Sequence, residues 1–202
     1  MMALHPVNYN SGRKKPPIRM SGRGLPDARL SRLIVGTWNV RTLNEVGKLE
    51  NLKKEMERMS LDVIGISEVR WPKDCDFWTG EYRMICTGEK KGQAGVGIIM
   101  NRKVGNRVQS YIQHSERIIL LRIEAKPVPI VLVQVYIPTG SYSKEEIEEI
   151  YEELDEVLIG VKGKENFIIM GDWNARVGEG IVEGICGEYG LGGRNERGTR
   201  LI

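Results

Sequence analysis

Hydrophobic and polar positions along this chain follow two periods, and each change of period marks a new element. Leu33, Ile34 and Val35 form a short apolar run that meets Gly36 and then Thr37-Trp38-Asn39, the pattern of a buried strand ending in a polar tip. Leu49, Leu52, Met56 and Met59 follow at helical spacing with Lys53, Lys54, Glu55 and Glu57 between them, which predicts an amphipathic helix. The apolar run from Leu61 to Ile66 predicts the next strand, ending at Ser67-Glu68. A strand, helix and strand of these lengths favour a parallel crossover.

Further strands are predicted over 82–86, 95–100, 107–112, 117–125 and 128–136, separated by Gly, Pro, Asn or charged breaks, with 101–105 as a turn. Ser143 with Glu146 three residues on is a capping box. It opens a helix with Ile147, Ile150, Tyr151, Leu154 and Leu158 on one face and glutamates, a solvated surface, on the rest. The run from Phe167 to Met170 predicts another buried strand, leading into Gly171-Asp172-Trp173-Asn174. A long glycine-rich loop follows, and a helix is expected to begin at Asn195.

The length of 202 residues suits one domain, and 41% hydrophobic with 28% charged residues is ordinary globular composition. A net charge of +3 does not by itself argue for a nucleic-acid partner, because the placement of charge matters more. Residues 1–31 carry Arg13, Lys14, Lys15, Arg19, Arg23 and Arg29 against Asp27, and prolines and glycines break any periodicity. They read as a disordered basic arm, either a solvated tail or a phosphate contact, ahead of one α/β domain over 32–202. Cys75, Cys86 and Cys186 are odd in number and far apart, which argues against a disulfide framework or a thiolate zinc site and suits a reducing compartment. The strongest apolar run, 128–137, is too short to span a bilayer, so no membrane partner is expected. Nothing in the pattern points to an obligate protein partner. The nucleus is the expected location, with the cytoplasm as the alternative.

The chemistry gathers just past the strand ends, at Asn39, Glu68, Tyr136, Asp172 and Asn174. In a layered α/β fold such ends converge on one rim. Glu68 and Asp172 offer hard anionic oxygens and Asn39 a carbonyl oxygen, a sparse set that Mg²⁺ accepts with water completing its shell. Asp172 can alternatively orient or deprotonate an attacking water. Tyr136 and Asn174 can donate to a phosphate oxygen as it gains charge. Taken one at a time, each has a plainer reading. Asn39 suits a turn, Glu68 a surface ion pair with Arg70, Asp172 and Asn174 an Asx turn, and Tyr136 packing. Their joint placement favours phosphodiester or phosphomonoester hydrolysis.

These residues carry a family resemblance. Thr37-Trp38-Asn39-Val40-Arg41-Thr42-Leu43, Ile66-Ser67-Glu68-Val69-Arg70-Trp71, Val135-Tyr136-Ile137-Pro138 and Gly171-Asp172-Trp173-Asn174 resemble, in order, motifs of the endonuclease/exonuclease/phosphatase superfamily. The spelling, including Arg194-Asn195-Glu196-Arg197-Gly198, is most similar to endonuclease domains of non-LTR retrotransposons and their domesticated copies. The resemblance implies a four-layer α/β sandwich with Mg²⁺ (or Mn²⁺) at one edge and DNA as substrate. It assigns Asn39, Glu68, Asp172 and Asn174 to the metal, Tyr136, Asp172 and Asn174 to catalysis, and Asn195 to the nucleic-acid cleft. The family closes with a Ser-Asp-His motif that this chain does not reach, so the implied sandwich is incomplete at its C-terminus. Losing one phosphate-contacting group costs on the order of 10²–10³ in rate in comparable sites. The alternatives left open are a non-catalytic relic that binds nucleic acid or chromatin, and a hydrolase of the same fold acting on another phosphoester.

Overall fold

The computed structural model describes residues 19–20, 32–140, 142–161 and 163–202. The basic arm lies outside the described residues except for β1 (Arg19–Met20). The predicted crossover forms from β2 (Val35–Asn39), α1 (Lys48–Arg58) and β3 (Val63–Ser67), and β2 and β3 are parallel. The chain continues through β4 (Cys75–Thr79), β5 (Tyr82–Cys86), β6 (Val96–Asn101), α2 (Arg102–Gly105), β7 (Val108–Ser115), β8 (Ile118–Ile123) and β9 (Ile130–Tyr136). Then come α3 (Lys144–Ile159), β10 (Asn166–Asp172) and α4 (Glu196–Leu201).

The strands form two five-stranded sheets, ordered β2-β3-β6-β5-β4 and β1-β7-β8-β9-β10. Among the described strands only β2–β3 and β9–β10 are parallel pairs. Alternation of side chains along each strand then builds four layers. Ile119, Leu121, Ile123 and Leu132 face Val63, Ile98 and Met100 between the sheets. Ile118, Leu120, Val131, Val133 and Val135 point the other way, onto Ile147, Ile150, Tyr151, Leu154 and Val157 of α3. On the far side, Ile64, Ile66, Met84 and Ile99 meet Leu52 and Met56 of α1. The expected sandwich is therefore present. The capping box closes as its spacing required, with Glu146 N–H donating to Ser143 Oγ at 3.2 Å and Ser143 N–H donating to Glu146 Oε2 at 2.8 Å.

Several local expectations need correction. The turn over 101–105 is a single helical turn, because the Asn101 side chain accepts from Val104 N–H at 3.0 Å and caps it. Phe167 and Ile169 are 42% and 40% exposed, since β10 is an edge strand and the α3 layer packs on β8 and β9. The strand β4 has no counterpart in the sequence reading, and its absence there hid a disulfide. Cys75 and Cys86 sit directly opposite in the β4–β5 register and are bonded to each other. That bond contradicts the expectation drawn from cysteine spacing and removes its argument for a reducing compartment.

Candidate active site

Two parallel strand pairs, one in each sheet, bring the predicted residues to a single rim. Asn39 stands opposite Ser67 in the β2–β3 register, so Asn39 and Glu68 leave the first sheet side by side. Tyr136 stands opposite Asp172 in the β9–β10 register, which sends both off the same end of the second sheet. Gly171 permits this close approach. A Cβ there would run into the Val135 carbonyl, and its φ of 158° lies outside the range most side chains adopt. The sheets are also pinned face to face. Fully buried Gln134 donates from Nε2 to Ser67 Oγ at 3.0 Å and accepts from Thr37 Oγ1 at 3.4 Å. Gly65 leaves the space that Gln134 fills.

The two carboxylates meet on one amide. Asn39 Nδ2 donates to Glu68 Oε1 at 2.7 Å and to Asp172 Oδ2 at 2.8 Å, while Asn39 Oδ1 accepts from Arg41 N–H at 3.0 Å. Tyr136 donates its hydroxyl to Glu68 Oε1 at 3.2 Å. Asn174 donates its backbone N–H to Asp172 Oδ1 at 3.2 Å, and its side-chain Nδ2 donates to the Ile137 carbonyl at 2.7 Å. Asn39, Glu68, Tyr136, Asp172 and Asn174 are thus brought together. Asn195 is used differently, since its Oδ1 accepts from Gly198 N–H at 2.8 Å and Arg176 N–H at 3.0 Å and caps α4.

Backbone strain marks the same rim. Arg41, Thr42, Glu68, Arg70 and Asn174 have φ of 48°, 85°, 59°, 59° and 44°, values that side chains other than glycine rarely adopt. Such strain persists where surrounding contacts over-determine it, and it concentrates at functional sites. The sequence motifs carry no sign of it.

Charge at the rim is balanced by hydrogen bonds. Burial alone would raise the Glu68 carboxyl, but donors from Asn39, Arg70 and Tyr136 outweigh it and hold the pKa below the ordinary value. Arg70 is the residue the sequence undervalued. Its Nη2 sits 2.7 Å from Glu68 Oε2, and its place two residues past Glu68 was the available signal. Burial, then the adjacent Glu68 charge, pushes Tyr136 up to about 12, so its hydroxyl keeps its proton at neutral pH.

The donor chemistry fits a hard divalent cation with few protein ligands. Among the described residues no group of three or more His, Cys, Asp or Glu side chains is placed to hold a metal. Two carboxylate ligands suit Mg²⁺, which keeps several waters, better than a closed structural zinc site. Asn39 here turns its NH₂, not its carbonyl, toward the carboxylates. Negative charge at the rim therefore comes from Glu68 and Asp172.

An α/β sandwich with two carboxylates, an amide and a tyrosine hydroxyl at one rim is an architecture suited to phosphoester hydrolysis. The chain belongs to the endonuclease/exonuclease/phosphatase family, whose model matches residues 36–200. Craniofacial development protein 2 of Bos taurus is 38% identical over 169 residues, covering 83% of this chain and 28% of that protein. The chain therefore spans less than a third of the length of that curated relative. Among solved structures, an AP endonuclease from Leishmania major superposes with a TM-score of 0.52 at 16% identity, covering 69% of this chain and 54% of that one. The endonuclease domain of TRAS1, a telomere-specific non-LTR retrotransposon, gives a TM-score of 0.52 at 17% identity, covering 84% and 68%. At those identities the two structures share the fold with this chain. The family and fold expected from the motifs are borne out.

Proposed function

We propose that this chain is a Mg²⁺-dependent phosphodiester hydrolase acting on DNA in the nucleus, as an endonuclease or an abasic-site-type enzyme. The observation that carries the reading is the convergence of Glu68 and Asp172, from different sheets, on the single Asn39 amide. Glu68 and Asp172 would hold the cation, and Asn39 and Asn174 complete the polar wall around it. When bound, the cation supplies Lewis-acid polarisation of a phosphoryl oxygen and stabilises the departing oxyanion; Mn²⁺ offers the same chemistry.

The remaining work falls to the chain itself. Asp172 is fixed by Asn39 and by Asn174 N–H, and as the alternative to holding the cation its carboxylate orients an attacking water and accepts its proton. Tyr136, kept protonated by its surroundings, donates a hydrogen bond as negative charge grows on the phosphate. Asn195 contributes to the nucleic-acid side by capping α4, whose Arg197 donates to the Pro138 and Thr139 carbonyls just beyond Tyr136. DNA as the substrate is supported by the retrotransposon-like spelling of the motifs and by the nuclease names of the two solved structures.

Nicking of supercoiled plasmid tests this. Activity should need Mg²⁺, survive replacement by Mn²⁺, stop in chelator, and vanish in Glu68→Ala and Asp172→Ala. Nicking that persists in both variants would dismiss the assignments. Phosphoinositide, sphingomyelin and poly(A) are run alongside, and turnover of one of these with DNA left intact would move the substrate.

A further inference from the structure

The tyrosine at the rim is held from behind by a cation that no motif contains. Arg117, just before β8, is only 9% exposed. Its guanidinium lies 5.3 Å from the Tyr136 ring centroid and 5.1 Å from that of Tyr142, so it sits between two aromatic faces. Nη2 donates to the Tyr142 hydroxyl at 3.1 Å, and the Arg117 carbonyl accepts from Tyr136 N–H at 2.9 Å. Backbone and side chain of one residue thus grip Tyr136 together.

An ion pair does not explain this arginine. Among the described residues its nearest carboxylate oxygen, on Glu116, is 3.9 Å from Nε, and Nη1 is buried without a hydrogen-bond partner. Burying a guanidinium so poorly paired is costly, and what it gains is contact with ring faces. Arg117 and Tyr142 also line a cleft of about 280 Å³, together with Lys91 and the glutamates Glu89, Glu146, Glu149 and Glu153. We infer that Arg117 is a positioning residue that clamps Tyr136 between itself and the rim, aiming the phenol hydroxyl at the Glu68 side of the phosphate site, with Tyr142 as the outer plate of the clamp. The inference rests on the role proposed above for Tyr136.

A planar guanidinium stacks where an ammonium only attracts, so Arg and Lys should not be equivalent here. The test uses the full chain labelled with fluorotyrosine, the Tyr136 fluorine line being identified by its loss in Tyr136→Phe. In Arg117→Met the Tyr136 line should shift and broaden in metal-free protein while lines of tyrosines distant from the clamp stay in place. With Mg²⁺ and plasmid, kcat should fall about 10- to 100-fold with KM unchanged, the signature of a misplaced group that acts in the transition state. Arg117→Lys should recover part of the loss. Tyr142→Leu, which removes the outer plate and leaves the arginine, should move the Tyr136 line in the same direction, and it serves if Arg117→Met does not fold. An unmoved Tyr136 line in folded Arg117→Met or in Tyr142→Leu overturns the inference. A moved line in protein whose wild type nicks no DNA supports the clamp and refutes the substrate reading instead.

Discussion

Replacing Asn39 with aspartate changes one NH₂ group into an oxygen and reverses the electrostatics of the rim. Asn39 Nδ2 stands 2.7 Å from Glu68 Oε1 and 2.8 Å from Asp172 Oδ2, so the variant places a third negative charge against two others. Two unit charges about 4 Å apart repel by about 4 kcal/mol at an effective dielectric constant of 20. Two charge-assisted hydrogen bonds, roughly 1.5–3 kcal/mol each, are lost as well. Proton uptake limits the damage, since raising one carboxyl from about 4 to neutrality costs about 4 kcal/mol in all. Arg70, 2.7 Å from Glu68 Oε2, offsets a further part. Asn39→Asp should therefore lose about 2–4 kcal/mol in chelator at pH 7 and regain stability as pH falls toward that of free carboxylic acids. Mg²⁺ should stabilise this variant more than wild type, because a third carboxylate raises its affinity; at 100 times Kd the gain is about 2.7 kcal/mol. Urea unfolding of wild type, Asn39→Asp and Asn39→Ala, each in chelator and in Mg²⁺, measures every term. If Asn39→Asp matches wild type in chelator, the amide is not bridging two charged carboxylates. If Mg²⁺ stabilises neither protein, the rim does not hold the cation.

Three other outcomes follow from the packing and the charges. Gly65→Ala should cost about 1–3 kcal/mol by forcing a methyl into Gln134, and the loss should shrink in the double variant with Gln134→Ala, as a thermal-melt double-mutant cycle would show. Because the Glu68 pKa is lowered by folding, its contribution to stability should be complete above about pH 4.3 and disappear as pH falls through the folded value; Glu68→Gln should flatten that acid limb. Reducing the Cys75–Cys86 bridge should lower stability by at most about 3 kcal/mol, the loop-closure value for a separation of 11 residues, and a non-reducing peptide map should show the two cysteine peptides joined.

The site was legible in the sequence as chemistry and order, not as geometry. Asn39, Glu68, Tyr136 and Asp172 could be picked out because each follows an apolar run, and a run of β-formers stops where its strand leaves the core. The convergence of Glu68 and Asp172 depends on two sheets packing face to face, with Gln134 between them. No local pattern encodes that distance. Arg117 was invisible for the same reason, as an arginine beside a glutamate at a strand start looks like surface until Tyr136 and Tyr142 close over it. Missing β4 had one clear consequence, because Cys75 and Cys86 become neighbours only once the hairpin register is known.

By itself, the sequence determined the alternating strands, the two long helices, the Ser143 capping box and the parallel β2–α1–β3 crossover. All of these follow from side-chain period and from hydrogen bonds between residues close in the chain. Tertiary structure alone decided which carboxylates share an amide, which non-glycine residues take left-handed backbone, which cation stands behind Tyr136, and which cysteines bond. Those depend on contacts between segments up to 133 residues apart, as Asn39 and Asp172 are, and only the packing of the two sheets fixes such distances.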